Sequence, residues 1–207
     1  MMNSPTIKSI PLNLVPAPSL KQLAKQLLRV KPKPVVATSK HQLKRLINEQ
    51  IQTYGPACDL NHIDVSNITN MRELFERSPF VGDISQWDVS NVTDMSSMFH
   101  ASPFDGDLSQ WNTSRVIYMS HMFESSYFNG NIATWDTSSV TDMFAMFCHS
   151  DFDGDISGWN VSKVRTMTRM FYGSVFRGDI AQWDISDECS INYTAPHHYG
   201  NNPLFLT

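Results

Sequence analysis

Large apolar residues recur at a fixed interval of 24 positions through most of this chain. Between Asp64 and Trp183 one pattern of apolar and polar residues is written five times without an insertion or a deletion. A fixed period of this length is typical of repeat proteins whose units stack on their neighbours and bury one continuous core. The aligned apolar positions are Trp87, Trp111, Trp135, Trp159 and Trp183; Met71, Met95, Met119, Met143 and Met167; and Phe75, Phe99, Phe123, Phe147 and Phe171.

Within one unit, the apolar spacing predicts a short helix, a turn and a short strand. In the second unit, residues 88–111, one helix face would carry Val92, Met95, Met98 and Phe99. Gly106 marks a tight turn, where a positive φ is cheap for glycine, and the strand is expected at Leu108–Trp111. The pattern therefore predicts an α/β solenoid of five 24-residue coils with modest curvature; if the helical turns are narrow and 3₁₀-like, the array is straighter. Because each Trp lies among inward-facing positions, we interpret the Trp row as core rather than as a surface that stacks on sugars or bases.

Two amphipathic helices are predicted before the repeats. The first runs from Ser19 to about Val30 and ends at a Lys-Pro-Lys-Pro linker. The second runs from about Lys40 to Tyr54, with a capping box at Ser39 and Gln42, and we expect it to cap the first coil. The predicted organisation is a basic arm at 1–38, a cap helix region at 39–63, the solenoid at 64–186 and an irregular C-terminal cap at 187–207, in which Tyr193, Leu204 and Phe205 cover the last coil.

Asp and Asn exchange freely at two positions of each unit. One follows the Trp, as in Asp88 and Asn112, and the other follows the turn glycine, as in Asp107 and Asn131. A position that accepts either residue needs a hydrogen-bond acceptor rather than a charge, which indicates Asx-turns. Calcium ligation at the Asp-Gly-Asp turns is the alternative, but Arg177 occupies the same row in the fifth unit. We therefore predict no metal site and no cofactor.

The repeated motif resembles that of a known family. Its clearest copies are Trp-Asp-Val-Ser-Asn-Val-Thr-Asp-Met-Ser-Ser-Met-Phe at 87–99 and Phe-Asp-Gly-Asp-Ile-Ser-Gly-Trp at 152–159. These are similar to the BspA-type leucine-rich-repeat surface proteins, a group that includes the mycoplasma lipoprotein-type repeat of unknown function. The resemblance covers roughly residues 39–186. It implies a leucine-rich-repeat-like solenoid with a binding or adhesion role, and it carries no catalytic site onto this chain.

Candidate binding residues are found where the units differ from one another. Positions on the outer face of the predicted helical turn are polar in the second unit, but later units carry apolar, aromatic and cationic residues there. Such a cluster matches the chemistry of protein interaction hot spots, so we predict a protein partner. The alternative is that terminal elements of the chain fold over this patch. The candidate residues are Ile117, Tyr118, His121, Phe144, Arg165 and Arg169.

Charge is distributed unevenly along the chain. Residues 1–50 contain nine Lys and Arg but a single acidic residue, Glu49, although the whole chain has a net charge of −4. A basic stripe on the first helix offers an alternative function, electrostatic binding to nucleic acid or to an anionic membrane. Nucleic-acid binding would need more than these charges, and no aromatic residue interleaves them, so a protein partner remains our main prediction. The stripe consists of Lys21, Lys25, Arg29, Lys31 and Lys33.

Other features of the chain favour a non-enzymatic protein. The three cysteines, Cys58, Cys148 and Cys189, are too few and too scattered for a disulfide framework, which indicates free thiols in a reducing compartment. The N-terminal region contains no continuous apolar stretch and no evident cleavage site. We therefore expect a cytoplasmic protein, with an exported or surface-associated one as the alternative. No spacing of Cys and His resembles a zinc site or a nucleophile–base pair, so we predict that the chain is not an enzyme.

Overall fold

The computed structural model describes residues 33–192. It contains strand β1 at Val35–Val36, helix α1 at Lys40–Tyr54 and strand β2 at Ile63–Asp64, followed by the repeats. Strands β1 and β2 pair in parallel, with Val35 opposite Ile63. We number the repeats as units 1 to 5, which span residues 64–87, 88–111, 112–135, 136–159 and 160–183. Equivalent positions of the units, 24 residues apart, form rows.

Helix α1 forms where the sequence predicts it. The Ser39 hydroxyl accepts a hydrogen bond from the N–H of Gln42 at 3.2 Å, which satisfies one of the free donors at the helix start. The Gln42 side chain accepts from the N–H of Thr38, one residue earlier than a standard capping box requires. Gly55 ends the helix with a φ of 89°. Leu43 and Ile47 are buried in the same core cluster as the repeats, so the apolar face of α1 covers one end of that core.

Successive units pair in parallel along one row. Isolated parallel bridges join each residue of this row to the one 24 positions later. Adjacent paired chains lie about 4.8 Å apart, so the coils are stacked as closely as strands in a sheet. We call this row the bridge row; it consists of Asn70, Asp94, Tyr118, Asp142, Thr166 and Ser190.

The segment after the bridge row hydrogen-bonds both along the stack and within its own coil. In unit 2, the N–H groups of Met95, Ser97 and Phe99 donate to carbonyl groups of unit 3 at 2.8 to 2.9 Å. Between them, the N–H of Ser96 donates to the carboxylate of Asp94 at 2.9 Å, and the N–H of Met98 donates to the carbonyl three positions earlier at 3.2 Å. Ser97 has a φ of 55°, and the same left-handed conformation recurs four residues later. Every backbone N–H of this segment is therefore paired without forming a helix.

The short helix predicted in each unit is wrong. Residues 65–192 contain turns but no helix, because each unit has two left-handed residues, four positions apart, that interrupt an α-helix. Packing distances also exclude a helix in each unit, because the axes of neighbouring α-helices lie 8–10 Å apart. The rings of Phe99 and Phe123, in neighbouring units, are only 5.6 Å apart. Coils stacked this closely have no room for a helix in each one.

The strand predicted at Leu108–Trp111 is also wrong. The N–H of Trp111 donates to the carbonyl of Leu108 at 3.1 Å, which makes this segment a tight turn. The carboxylate of Asp107 holds the turn by accepting the N–H of Ser109 at 2.9 Å. The burial expected at both ends is confirmed, since Leu108 and Trp111 are 0% and 4% exposed.

Aromatic rings fill the core in columns. In the row of Phe99, ring centroids of adjacent units lie 5.5 to 5.7 Å apart and the ring planes differ by at most 8°. The Trp row is buried, as predicted, and each indole N–H donates to a backbone carbonyl 27 residues earlier. For Trp135 the acceptor is Leu108, at 3.0 Å. The indoles thus bury their apolar surface without leaving a polar atom unpaired.

Backbone pairing extends across two of the predicted boundaries, the one after residue 38 and the one at residue 187. The chain divides after Lys33 rather than at residue 38. The N–H of Val35 donates to the carbonyl of His62 just before β2, and the N–H of Ala37 donates to the carbonyl of Asp64 in β2. At the other end, Ser190 pairs with Thr166, so the coil pattern continues beyond the predicted start of an irregular cap at 187. The predicted first helix, Ser19 to Val30, and the covering residues Tyr193, Leu204 and Phe205 lie outside the described residues.

Candidate interaction surface

The bridge row places Tyr118 on the surface between two aspartates. Tyr118 is bridged to Asp94 on one side and to Asp142 on the other, so all three side chains leave the backbone at equivalent positions of successive coils. The Tyr118 side chain is 47% exposed. The backbone of Tyr118 is held by hydrogen bonds on both sides, because its N–H donates to Thr93 and its carbonyl accepts from Met95. The backbone therefore fixes the place at which the Tyr118 side chain leaves the stack, with an aspartate of the same row on either side.

The predicted residues His121 and Phe144 are brought into contact. The N–H of His121 donates to the carbonyl of Phe144 at 2.8 Å, and the two rings meet edge to face with centroids 5.0 Å apart. The imidazole of His121 also contacts the carboxylate of Glu124. Both rings are half-buried, so Phe144 presents less apolar surface than the sequence suggests. Asp142 accepts the N–H of Phe144 at 2.9 Å, which connects this pair to the bridge row.

Ile117 and Arg165 lie in the row next to the bridge row. The carbonyl of Ile117 accepts from Thr141, and the carbonyl of Thr141 accepts from Arg165, both at 2.9 Å. Ile117 is half-buried and Arg165 is exposed, two units further along the stack. Arg169 is exposed as well, and its N–H donates to Asn192. The two arginines therefore lie in unit 5, one unit beyond Phe144, and form a separate cationic end of the surface.

Sequence reasoning missed the acidic residues of this surface. Aligning the units in steps of 24 places Asp94 and Asp142 beside Tyr118, a signal that was present but not used. A second missed pair joins the imidazole of His100 to the carboxylate of Glu76 at 3.2 Å, in the row that also contains Glu124. The surface of units 2 to 4 therefore combines aromatic rings with carboxylates, and the arginines follow in unit 5.

Four of the five residues of the predicted basic arm lie outside the described part of the chain. These are Lys21, Lys25, Arg29 and Lys31. Lys33 is described and is exposed. Within residues 33–192, no helix has the length and apolar character that crossing a bilayer requires.

The aspartates of the turns act as hydrogen-bond acceptors, which confirms the predicted Asx-turns. The backbone N–H of Ser109 lowers the pKa of Asp107 below its usual value, and the N–H of Ser157 does the same for Asp155. A second ladder joins neighbouring units, since Asp105 accepts the N–H of Asn129 at 2.8 Å and Asn129 in turn accepts that of Asp153 at 2.9 Å. The same geometry with Asp or Asn explains why the two residues exchange freely.

The cysteines of the described region are free thiols, as predicted, and two of them are buried. Burial raises the pKa of the Cys148 thiol to about 11, with a further contribution from Glu124 that Arg169 opposes. Burial also raises the pKa values of Cys58 and Cys189. All three are therefore protonated at neutral pH, and none has the activated thiolate that nucleophilic chemistry requires.

Comparison with known sequences identifies a family. The family described as "Mycoplasma protein of unknown function, DUF285" matches residues 43–147 and 124–197. Together these matches cover the cap helix from Leu43 onward and all five units. No curated protein and no solved structure matches the chain.

Proposed function

We propose a binding role for this chain, which belongs to the family described as Mycoplasma protein of unknown function, DUF285. The chain acts as a non-enzymatic module that presents a protein-binding surface on a rigid stack of repeats. The observation that carries this proposal is the exposed ring of Tyr118 on an otherwise polar row, together with the ring pair of His121, three positions further along the same unit, and Phe144 of the next unit. Exposed aromatic residues on a rigid scaffold are the usual energetic centres of protein interfaces.

The fold we propose for the repeats is a short leucine-rich-repeat-like solenoid of the BspA type. The proposal is supported by the resemblance of the motif and by the parallel bridges that recur at intervals of 24 residues. The columns of stacked rings also support it, because they give the units one shared core. The structural features common to the family would then supply the scaffold, and differences between units would supply the binding specificity.

The surface residues divide into two roles in this proposal. Ile117, Tyr118 and Phe144 supply the apolar contact area, and His121 positions the Phe144 ring through their edge-to-face contact. Arg165 and Arg169 give the partner's acidic groups a place to bind at the other end of the surface. Within residues 33–192, neither arginine forms an ion pair.

The test replaces each aromatic residue by a residue that another unit already carries in the same row. Thr166 occupies the Tyr118 row and Ser120 occupies the Phe144 row, so Tyr118→Thr combined with Phe144→Ser should preserve the stack. Tyr127→Val is the matched control, because Tyr127 is 66% exposed in another row and Val175 occupies that row in unit 5.

The measurement compares the proteins captured from a cell lysate by the three immobilised chains, quantified by mass spectrometry. We expect the double variant to lose the proteins that the wild type enriches and the Tyr127→Val control to retain them. Equal enrichment by all three chains would remove the binding role from this surface.

A second candidate function rests on the uneven charge of the chain. The nine Lys and Arg residues of positions 1–50 would attach the protein to nucleic acid or to an anionic membrane by electrostatic attraction. Replacing Lys21, Lys25 and Arg29 by Gln in the full-length protein should abolish binding to a 20-nucleotide duplex or to phosphatidylserine vesicles at low salt. Binding that survives these substitutions would exclude the basic stripe as the tether.

A further inference from the structure

We infer that the surface around Tyr118 selects a positively charged segment of its partner, one that carries lysine or arginine side chains. This inference rests on the proposed binding role and specifies the chemistry of the partner. The occupant is a basic peptide segment that lies along the stack. One of its cationic groups lies over the Tyr118 ring, and the cationic groups on either side of that one bind Asp94 and Asp142.

The spacing of the three side chains supports a cationic group at this place. The parallel bridges put Asp94 and Asp142 one coil on either side of Tyr118, and adjacent paired chains lie about 4.8 Å apart. The two carboxylates are therefore about 10 Å apart at their backbones, with the exposed ring between them. An ammonium or guanidinium group over the face of a tyrosine gains a cation–π attraction, and here it would also meet two anionic neighbours.

The hydrogen bonds of the two carboxylates come from neutral groups, and a cation, Arg72, interacts with Asp94 electrostatically without forming an ion pair. Asp94 accepts from the N–H of Ser96 at 2.9 Å and from the side-chain amide of Asn70 at 3.1 Å. Asp142 accepts from the N–H of Phe144 at 2.9 Å. Within residues 33–192, neither aspartate forms an ion pair, whereas Asp153 in another row pairs with Arg177 at 3.0 Å. Neither carboxylate is therefore paired directly with a cation within residues 33–192, although Arg72 offsets part of the charge of Asp94.

The fold does not need negative charge at these positions. In unit 1 the same row carries Asn70, whose side-chain oxygen accepts the N–H of Arg72 at 3.0 Å, as the aspartates do in their own units. In unit 5 the row carries Thr166. Because a neutral acceptor keeps the turn, the charge of Asp94 and Asp142 is free to serve recognition.

The experiment titrates the full-length protein with a synthetic nonapeptide of alternating glycine and lysine, at low salt. Binding is followed by isothermal titration and by NMR of the tyrosine ring signals. We expect the Tyr118 ring signals to shift and those of Tyr127 to remain in place. A peptide of alternating glycine and glutamate should produce no shift. A peptide that moves the Tyr127 signals as much as those of Tyr118 would overturn the inference, because binding would then be non-specific attraction to an acidic protein.

Two double variants separate the site from the general charge of the protein. Asp94→Asn with Asp142→Asn should weaken peptide binding roughly tenfold, because two surface ion pairs are lost. Asp107→Asn with Asp155→Asn is the matched control: it removes the same charge from exposed turn acceptors at the same separation of 48 positions, and it should change affinity less than twofold. Equal weakening by both variants would overturn the inference.

The outcome for the cationic partner can be distinguished from that for the binding role. If Tyr118→Thr with Phe144→Ser abolishes capture of partners while Asp94→Asn with Asp142→Asn has no effect, the binding role stands and the cationic partner is excluded. Sedimentation velocity tests whether the segment bound at this surface belongs to a second copy of this chain. A wild-type dimer that the Asp94 and Asp142 variant dissociates would assign this surface to the basic arm of a second copy and overturn the proposal of a separate partner.

Discussion

The ring of Phe104 lies against the Cα atom of Gly106 two residues later. A Cβ atom at Gly106 would come within 2.6 Å of the ring, closer than carbon atoms can approach. Gly106 does not have a positive φ, so the expected reason for glycine at this turn is wrong. The residue is small because the buried ring of Phe104, stacked at 6.5 Å on Phe128 of the next unit, occupies the space above it.

Gly106→Ala should therefore destabilise the protein. The new methyl group must displace a fully buried ring, which costs about 1–3 kcal/mol. Gly158→Ala is the control, because a Cβ there meets nothing within 4 Å and the residue has no positive φ. The control should be neutral or stabilise by about 0.4–1 kcal/mol, since alanine restricts the unfolded chain. Urea denaturation of both variants measures the difference, and equal stability of the two would contradict the packing argument.

The left-handed residues of the coils provide a second prediction. Ala101 has a φ of 50°, and in unit 5 its row carries Gly173, with a φ of 68°. Ala101→Gly relieves a left-handed conformation that costs about 1–2 kcal/mol, against an entropic cost of about 0.5–1 kcal/mol. We therefore expect a gain of about 0.5–1 kcal/mol in the free energy of unfolding.

The control for this prediction makes the same chemical change at an ordinary backbone position. Ala133 is not left-handed, and its N–H is bonded to the side chain of Asn131 at 3.1 Å. Ala133→Gly should lower the free energy of unfolding by about 0.5–1 kcal/mol, measured by thermal denaturation. Changes of the same sign in the two variants would show that the left-handed conformation carries no strain.

The sequence predicts the period, the cap helix and the core, because these depend on residues that repeat. Apolar rows such as those of Phe99 and Trp111 are unambiguous when a pattern occurs five times. Helix α1 has both a capping residue, Ser39, and a terminating glycine, Gly55, so its bounds are predicted correctly.

The backbone of each coil could not be predicted in the same way. The apolar spacing of Met95, Met98 and Phe99 is compatible with one face of a helix and equally compatible with the observed turns. What decides between them is hydrogen bonding to the next unit, as between Met95 and Tyr118, and contacts 23 residues apart are invisible to local periodicity. The acidic neighbours of Tyr118 were missed for a related reason, because Asp94 and Asp142 are adjacent to it only once the coils are stacked.

Acid should destabilise the protein through the Asx-turns. Backbone and side-chain hydrogen bonds lower the pKa values of Asp64, Asp83, Asp107, Asp136 and Asp155 below the usual 3.8. A carboxyl group whose pKa is lower in the folded protein stabilises it above the pKa of the unfolded chain, and this stabilisation is lost as the pH falls through the folded value. We therefore expect constant stability from these groups above about pH 5 and a progressive loss below about pH 4.

A double variant isolates this contribution. Asp107→Asn with Asp136→Asn keeps the acceptor oxygen of each turn but removes the titration, as Asn112 and Asn131 do in their own rows. The urea midpoint of the variant should fall less steeply than that of the wild type between pH 4 and pH 2. Parallel curves for the two proteins would show that these turns contribute nothing to acid unfolding.

Cys148 should be unreactive in the folded protein. Burial raises the pKa of its thiol to about 11, and the side chain is 4% exposed, so both the thiolate fraction and access by reagents are low at pH 8. Iodoacetamide should alkylate Cys148 at least roughly a hundredfold more slowly in buffer than in 8 M urea, where an ordinary thiol pKa of about 8.5 is restored. Peptide mass spectrometry follows each cysteine separately, and half-exposed Cys189 serves as the internal comparison. Because the thiolate is the reacting species, the rate at Cys148 should keep rising as the pH increases from 8 to 10. Rapid labelling at pH 8, at the rate of the unfolded chain, would mean that the coil of unit 4 opens far more often than its stacked core allows.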